Sequence, residues 1–178
     1  MALHFITGNE YKLKEAQMIV PNIDNITFDL PEIQSLDPKE IIAAKLKEAT
    51  KEHEGEFFIE DVSLYIECLN GFPGPLVKWF LKSLGTQGIA DLVQKYNNHN
   101  AIVKAVIGYS NGTDTHFFTG EINGKIVQPR GNSPFGFDKI FQPNEHDKTY
   151  GEMEVVEKSA MSHRNIALKI LKEFLDTN

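Results

Sequence analysis

The residues best equipped for chemistry fall into four short clusters spread along the chain. The first is Thr7-Gly8-Asn9-Glu10-Tyr11-Lys12, where an apolar run meets a helical pattern. Free N–H groups at a helix start favour anions, a glycine admits a phosphate close to the backbone, and Lys12 adds a mobile charge. The second is a set of carboxylates, Glu32 in Asp29-Leu30-Pro31-Glu32 and the pair Glu60-Asp61 at the end of a buried run. Acids at strand ends beside a phosphate site suit a hard cation such as Mg²⁺, with water completing its shell. The third is Ser133-Pro134-Phe135-Gly136-Phe137-Asp138, two aromatics around a glycine. Such rings can sandwich a planar group while backbone amides read its edge. The fourth is Glu157-Lys158-Ser159-Ala160-Met161-Ser162-His163-Arg164, with Ser162 or Ser159 as the N-cap of the helix that follows. His163 and Arg164 then project donors from a first turn, where cations oppose the helix dipole. Fold stability disfavours that placement, which makes it informative. Each cluster also has a plain structural reading: a capped helix with a solvated lysine, solvated acids, a turn with two core phenylalanines, an exposed first turn.

The elements that must carry these clusters are legible in part. Ala2 to Ile6 reads as a short buried strand, followed by a helix with Leu13, Ala16 and Ile19 or Val20 inward and Pro21 as its stop. Asp37 and Pro38 announce a second helix, with Glu40 completing a capping box and Ile41, Ala44, Leu46 and Ala49 inward. Gly55 lies just past its end. Phe57 to Ile59 and Val62 to Cys68 read as two strands. After the stiff loop Asn70 to Pro75, Leu76 to Leu84 and Thr86 to Tyr96 read as two helices. Ala101 to Tyr109 and Thr115 to Ile122 form a hairpin through Asn111-Gly112, and a second Asn-Gly at 123–124 turns the chain into Lys125 to Val127. Arg164 to Leu175 is the last helix. The order β-α-α-β-β-α-α-β-β-β-α implies an α/β protein, parallel in its early pairing and antiparallel later.

The 178 residues fit a single domain, residues 1–178, with a core that needs no staples. No run approaches the roughly 20 apolar residues of a membrane span, and residues 1–6 are too short and uncharged for a signal peptide. Cys68 is the only cysteine, which fits a reducing, cytoplasmic setting. A net charge of −7 argues against a DNA or RNA polymer as partner. The bases are sixteen lysines and only two arginines, Arg130 and Arg164. A Walker P-loop, a Gly-x-Gly-x-x-Gly fingerprint, His-Glu-x-x-His and Gly-x-Ser-x-Gly are all absent.

Taken in order, the clusters resemble the inosine triphosphate pyrophosphatase family, hydrolases of deaminated purine nucleoside triphosphates. Phe5-Ile6-Thr7-Gly8-Asn9, Asp29-Leu30-Pro31-Glu32, Glu60-Asp61, Gly71-Phe72-Pro73-Gly74-Pro75, Val77-Lys78-Trp79-Phe80, Pro129-Arg130-Gly131, Phe135-Gly136-Phe137-Asp138 and Ser162-His163-Arg164 carry the likeness. The resemblance implies an elongated mixed sheet flanked by helices, with two lobes around a nucleotide cleft. It implies a homodimer that uses Mg²⁺, or Mn²⁺ as a substitute, and converts ITP, dITP or XTP to the monophosphate and pyrophosphate. It assigns Thr7, Gly8, Asn9, Glu10, Tyr11, Lys12 and Lys45 to the triphosphate, and Glu32 and Asp61 to the metal. Asp61 would activate water, with Lys12 also catalytic, and Val62 would border the substrate without a hydroxyl to offer it. Phe135, Gly136, Phe137, Asp138, Lys158, His163 and Arg164 would form the base pocket. Donors from His163 and Arg164 suit a purine carbonyl at position 6 and would be left unpaired by adenine. Two alternatives fit the same residues: a pyrophosphatase preferring another triphosphate, and a non-catalytic nucleotide sensor.

Overall fold

The computed structural model describes residues 3–177, so Ala2 of the first expected strand lies outside it. The elements are β1 (His4–Ile6), α1 (Glu10–Gln17), β2 (Asp24–Ile26), α2 (Pro38–Glu52), β3 (Phe57–Ile66), β4 (Pro73–Gly74), α3 (Val77–Val93), β5 (Asn100–Ser110), β6 (Thr115–Ile126), β7 (Phe141–Pro143), α4 (Val155–Met161) and α5 (His163–Thr177). Seven strands form one mixed sheet in the order β2-β1-β3-β5-β6-β7, with β4 paired to β3. β1 runs parallel to β2 and β3, and every later pairing is antiparallel, as expected of an α/β chain of this element order.

Period-two alternation in β3 distributes the core. Phe57 and Ile59 face α2, where they pack with Ile6, Ile42, Leu46 and Val106. Phe58 faces the other side, with Phe5, Ala16, Ile107, Leu168 and Leu171 under α1 and α5. Farther along that same side, Leu64 and Ile66 join Ile89, Val93, Val103, Ile140 and Tyr150 under α3. Two apolar clusters thus occupy opposite ends of one sheet face, and Val62 touches both.

Several local expectations are met. Asp37 caps α2 by accepting the Lys39 N–H at 2.9 Å, with Pro38 in the first turn. Ser162 caps α5, its Oγ accepting the Asn165 N–H at 3.2 Å. α3 breaks at Gly85 (φ 66°, ψ 174°), between the two expected helices. Others are corrected. α1 ends at Gln17, before Pro21. Glu40 does not close a capping box; it accepts the Ser35 hydroxyl, which itself accepts the Asp37 N–H. The two expected strands around Glu60-Asp61 are a single strand, because both acids stay in register with β5 and are neutralised by side chains from the helices. The second Asn-Gly makes no turn: Asn123 and Gly124 remain paired with β5. A Cβ on Gly124 would lie 2.4 Å from the Gln142 carbonyl oxygen, so the glycine serves β7 packing instead. β2, β4, β7 and α4 carry too few residues to declare a period and were not anticipated.

Candidate active site

Parity in β3 also separates its two acids. Glu60 shares the face of Phe58 and meets α1 and α5; Asp61 shares the face of Ile59 and meets α2. Glu60 Oε2 accepts Arg164 Nε at 2.6 Å, and Oε1 accepts Arg164 Nη2 at 3.1 Å. Lys12 Nζ lies 3.2 Å from the same Oε1, and Arg164 Nη1 donates to Glu15. Burial alone would raise the Glu60 carboxyl, but Arg164 and Lys12 outweigh it and hold it at about 2. These partners also offset the cost of placing an arginine in a helix first turn.

On the opposite face, the buried Lys45 ammonium sits between Glu32 Oε1 at 3.4 Å and Asp61 Oδ1 at 3.7 Å. Lys78 adds a hydrogen bond to Glu32 Oε2 at 2.9 Å. That bond holds the Glu32 carboxyl below its ordinary value, against burial and with help from Lys45. Burial raises the Asp61 carboxyl above its ordinary value although Lys45 and Lys12 pull the other way. Asp61 Oδ2 is buried without a hydrogen-bond partner. A more basic carboxylate with a vacant lone pair is what a general base or a metal ligand requires.

Three contiguous cavities surround these groups. One of about 380 Å³ is bounded by α1 (Tyr11, Lys12, Glu15), Val62, α3 (Val77, Lys78, Leu81), the 135–138 loop, Lys158, His163 and Arg164. It lies between the two apolar clusters, with Val62 contributing to its wall. The second, about 630 Å³, is strongly polar and gathers Thr7, Gly8, Lys12, Glu32, Lys45, Glu60, Asp61 and Lys78. A third of about 220 Å³ joins Asp61 and Glu32 to Ile33, Leu76 and Trp79. Lys12 and Lys78 border all three.

Most of the expected site residues therefore converge, with corrections. Asn9 caps α1 by accepting the Tyr11 and Lys12 N–H groups at 3.0 and 3.3 Å, so two first-turn donors are already used and its own amide stays available. A Cβ on Gly8 would meet nothing within 4 Å; no protein contact demands a glycine, and the space is open to a ligand. Glu10 is exposed and borders none of the cavities. The two-ring sandwich does not form. Phe137 is buried against Phe141 and His163 and contributes only to the cavity wall, leaving half-buried Phe135, edge-on to Tyr11 at 4.3 Å, as the more open face. Asp138 accepts Lys158 Nζ at 2.6 Å and the Ser133 hydroxyl at 2.8 Å. Burial, with Arg164 beside it, lowers His163 to about 3, so its ring is neutral, and its Nδ1 is buried without a partner. Arg164 borders the cavity with its position set by two carboxylates, which take three of its five N–H groups and leave two for a ligand. Arg130 lies away from the cavities and braces Gln142 and Glu152.

Lys78, Glu15 and the role of Glu60 escaped the sequence reading. The one available signal for Lys78 was its place in Val77-Lys78-Trp79-Phe80, beside the stiff loop. Among the described residues no three His, Cys, Asp or Glu side chains assemble a metal cage. Asp61 and Glu32 fit an ion held by one or two carboxylates and completed by water and phosphate oxygens, the usual style for Mg²⁺.

Comparison with known proteins agrees with this geometry. The inosine triphosphate pyrophosphatase of Schizosaccharomyces pombe is 39% identical over 97% of this chain and 94% of its own length. The dITP/XTP pyrophosphatase of Thermococcus kodakarensis is 38% identical over 100% of this chain and 99% of its own. Among solved structures, a HAM1 protein from Coxiella burnetii superposes with a TM-score of 0.87 at 25% identity, covering 100% of both chains. The Staphylococcus aureus Ham1 protein shares the fold, with a TM-score of 0.80 at 24% identity over 99% of both chains. With the family match spanning residues 3–174, this chain belongs to the Ham1 family.

Proposed function

We propose that the protein hydrolyses deaminated purine nucleoside triphosphates, ITP, dITP and XTP, to the monophosphate and pyrophosphate, removing them from the nucleotide pool. One observation carries this reading: an aromatic-edged cavity and a lysine- and carboxylate-lined cavity meet at Lys12 and Lys78. The first has room for a purine and the second for a triphosphate. The full-length likeness to relatives named for these substrates supports it.

The chemistry follows from the side chains. Lys12, Lys45 and Lys78 neutralise charge on the triphosphate and the leaving pyrophosphate, as preorganised electrostatics. Asp61 takes a proton from water attacking the α-phosphorus, the O–P bond to the pyrophosphate breaks, and its electron pair leaves with that group. Glu32 and Asp61 are the residues that would hold Mg²⁺, which supplies further neutralisation of phosphate charge when bound. At the base end, the N–H groups of Lys158 and the unused ones of Arg164 suit the carbonyl at position 6 of hypoxanthine or xanthine. Adenine presents an amino group there and leaves those donors unpaired, at a cost of about 1–3 kcal/mol. A homodimer in the cytoplasm belongs to the same reading. Among the described residues no helix is long and apolar enough to cross a membrane.

The test is pyrophosphate release from ITP, XTP, GTP, ATP and dUTP, with Mg²⁺ and with EDTA, alongside sedimentation. Release from ITP and XTP well above ATP, abolished by EDTA, is expected. Equal release from ATP makes this a general pyrophosphatase, and binding of ITP without release makes it a sensor.

A further inference from the structure

Glu60 binds a cation of the purine-sized cavity and one of the polar cavities at once. Its Oε1 faces both Arg164 Nη2 at 3.1 Å and Lys12 Nζ at 3.2 Å, while Oε2 takes Arg164 Nε at 2.6 Å. Arg164 borders only the purine-sized cavity; Lys12 borders that cavity and both polar ones. One carboxylate oxygen is therefore shared by a cation at the base and a cation at the phosphates. A lysine ammonium on a four-carbon stem has little directional preference of its own, whereas a guanidinium pinned through two nitrogens is rigid. Through Oε1, the rigid partner orients the flexible one. Replacing such a buried ionic cluster by apolar side chains is often neutral or stabilising, so stability gives a weak reason for its presence.

We propose that Glu60 is a positioning residue that couples base recognition to the triphosphate, holding Lys12 in its productive direction when Arg164 is satisfied by the base. The inference rests on the pyrophosphatase reading above and adds a residue whose carboxylate, buried between Arg164 and Lys12, acts through those two cations. A base that pulls Arg164 out of place disturbs the oxygen on which Lys12 depends. Discrimination then appears in turnover as well as in binding. Glu15 secures the remaining side of Arg164, so the arginine keeps one anionic partner when Glu60 is neutralised.

The experiment compares wild type, Glu60→Gln and Glu60→Asp for kcat and KM with ITP and ATP, and for inhibition by inorganic triphosphate, which carries no base. In Glu60→Gln, the ITP-over-ATP preference in kcat/KM is expected to fall about tenfold, with part of the loss in kcat. Inorganic triphosphate should bind as well or better, since Lys12 loses a competing anion. Glu60→Asp, which keeps the charge on a shorter reach, should recover part of the preference. An unchanged preference, or equal weakening of ITP and inorganic triphosphate, overturns the coupling in favour of a merely structural role. Should Glu60→Gln not fold, the cycle of Lys12→Gln and Arg164→Lys in the native background reads the same link. Losses that fall short of multiplying support it, and strictly multiplicative losses overturn it. Wild-type protein that releases no pyrophosphate from ITP overturns the functional reading itself; normal wild-type turnover with an unmoved preference overturns only the coupling.

Discussion

Asp61 and Glu60 follow one another in β3 and point to opposite faces of the sheet, Asp61 toward Lys45 on α2 and Glu60 toward Arg164 on α5. Two adjacent acids thereby meet different partners. Asp61→Asn is expected to lower kcat by about 10²–10⁴-fold, the usual worth of a general base. Lys45 retains Glu32 as a partner, so the fold should persist. Circular dichroism and a melting curve close to wild type, beside near-normal kcat, would reject the assignment.

Lys78 should matter to the substrate and hardly at all to the fold. Its bond to Glu32 joins side chains that are 56% and 49% exposed, and such pairs contribute about 0–1 kcal/mol. Lys78→Met is expected to raise KM for ITP about tenfold, a loss of the size of one charge-assisted hydrogen bond. Its melting temperature should be unchanged. Steady-state kinetics with thermal denaturation checks both halves.

Two glycines make opposite predictions. A Cβ on Gly120 in β6 would lie 2.1 Å from the His163 carbonyl oxygen and 2.6 Å from the Ala167 nitrogen, against backbone that cannot yield cheaply. Gly120→Ala should therefore cost about 1–3 kcal/mol and displace the turn that carries His163 and Arg164, raising KM for ITP. Gly8→Ala meets open space within the fold. Its melting temperature should match wild type while affinity for the triphosphate falls. Affinity as in wild type would remove Gly8 from the phosphate site.

His163 makes stability depend on pH. Burial first, then Arg164 and Lys158, with Lys12 adding and Glu60 opposing, holds the folded imidazole at about 3 against an ordinary value of 6.5. Unfolded chains take up the proton first, so this contribution is fully present above pH 6.5 and drains away as pH falls toward 3. The melting temperature should drop on going from pH 7 to pH 5, and His163→Gln should flatten that part of the curve. An identical slope in the variant would show that other groups dominate.

How much was legible from residues alone follows a physical division. Helix punctuation at Asp37-Pro38 and Ser162, the Gly85 break and the Asn111-Gly112 hairpin depend on near neighbours, and they are where the sequence placed them. Asn123-Gly124 carries the same local signal and fails, because pairing with β5 continues through it and β7 needs the glycine's empty side. The short β2, β4 and β7 exist only through partners already in the sheet, so no period of their own could announce them.

The sequence by itself determined the family, the α/β class and most of the residues that line the cleft, because these lie in contiguous motifs whose chemistry travels with them. Only the tertiary structure decided which partners each one meets there. Alternation along β3 sent Glu60 and Asp61 apart, and packing buried Phe137 in the cleft wall while leaving Phe135 half exposed there. Folding brought Lys78 within 2.9 Å of Glu32, 46 positions away, and clamped Arg164 between Glu60 and Glu15. Residue types set which charges are available; which of them meet depends on the face and the depth at which the fold buries each one.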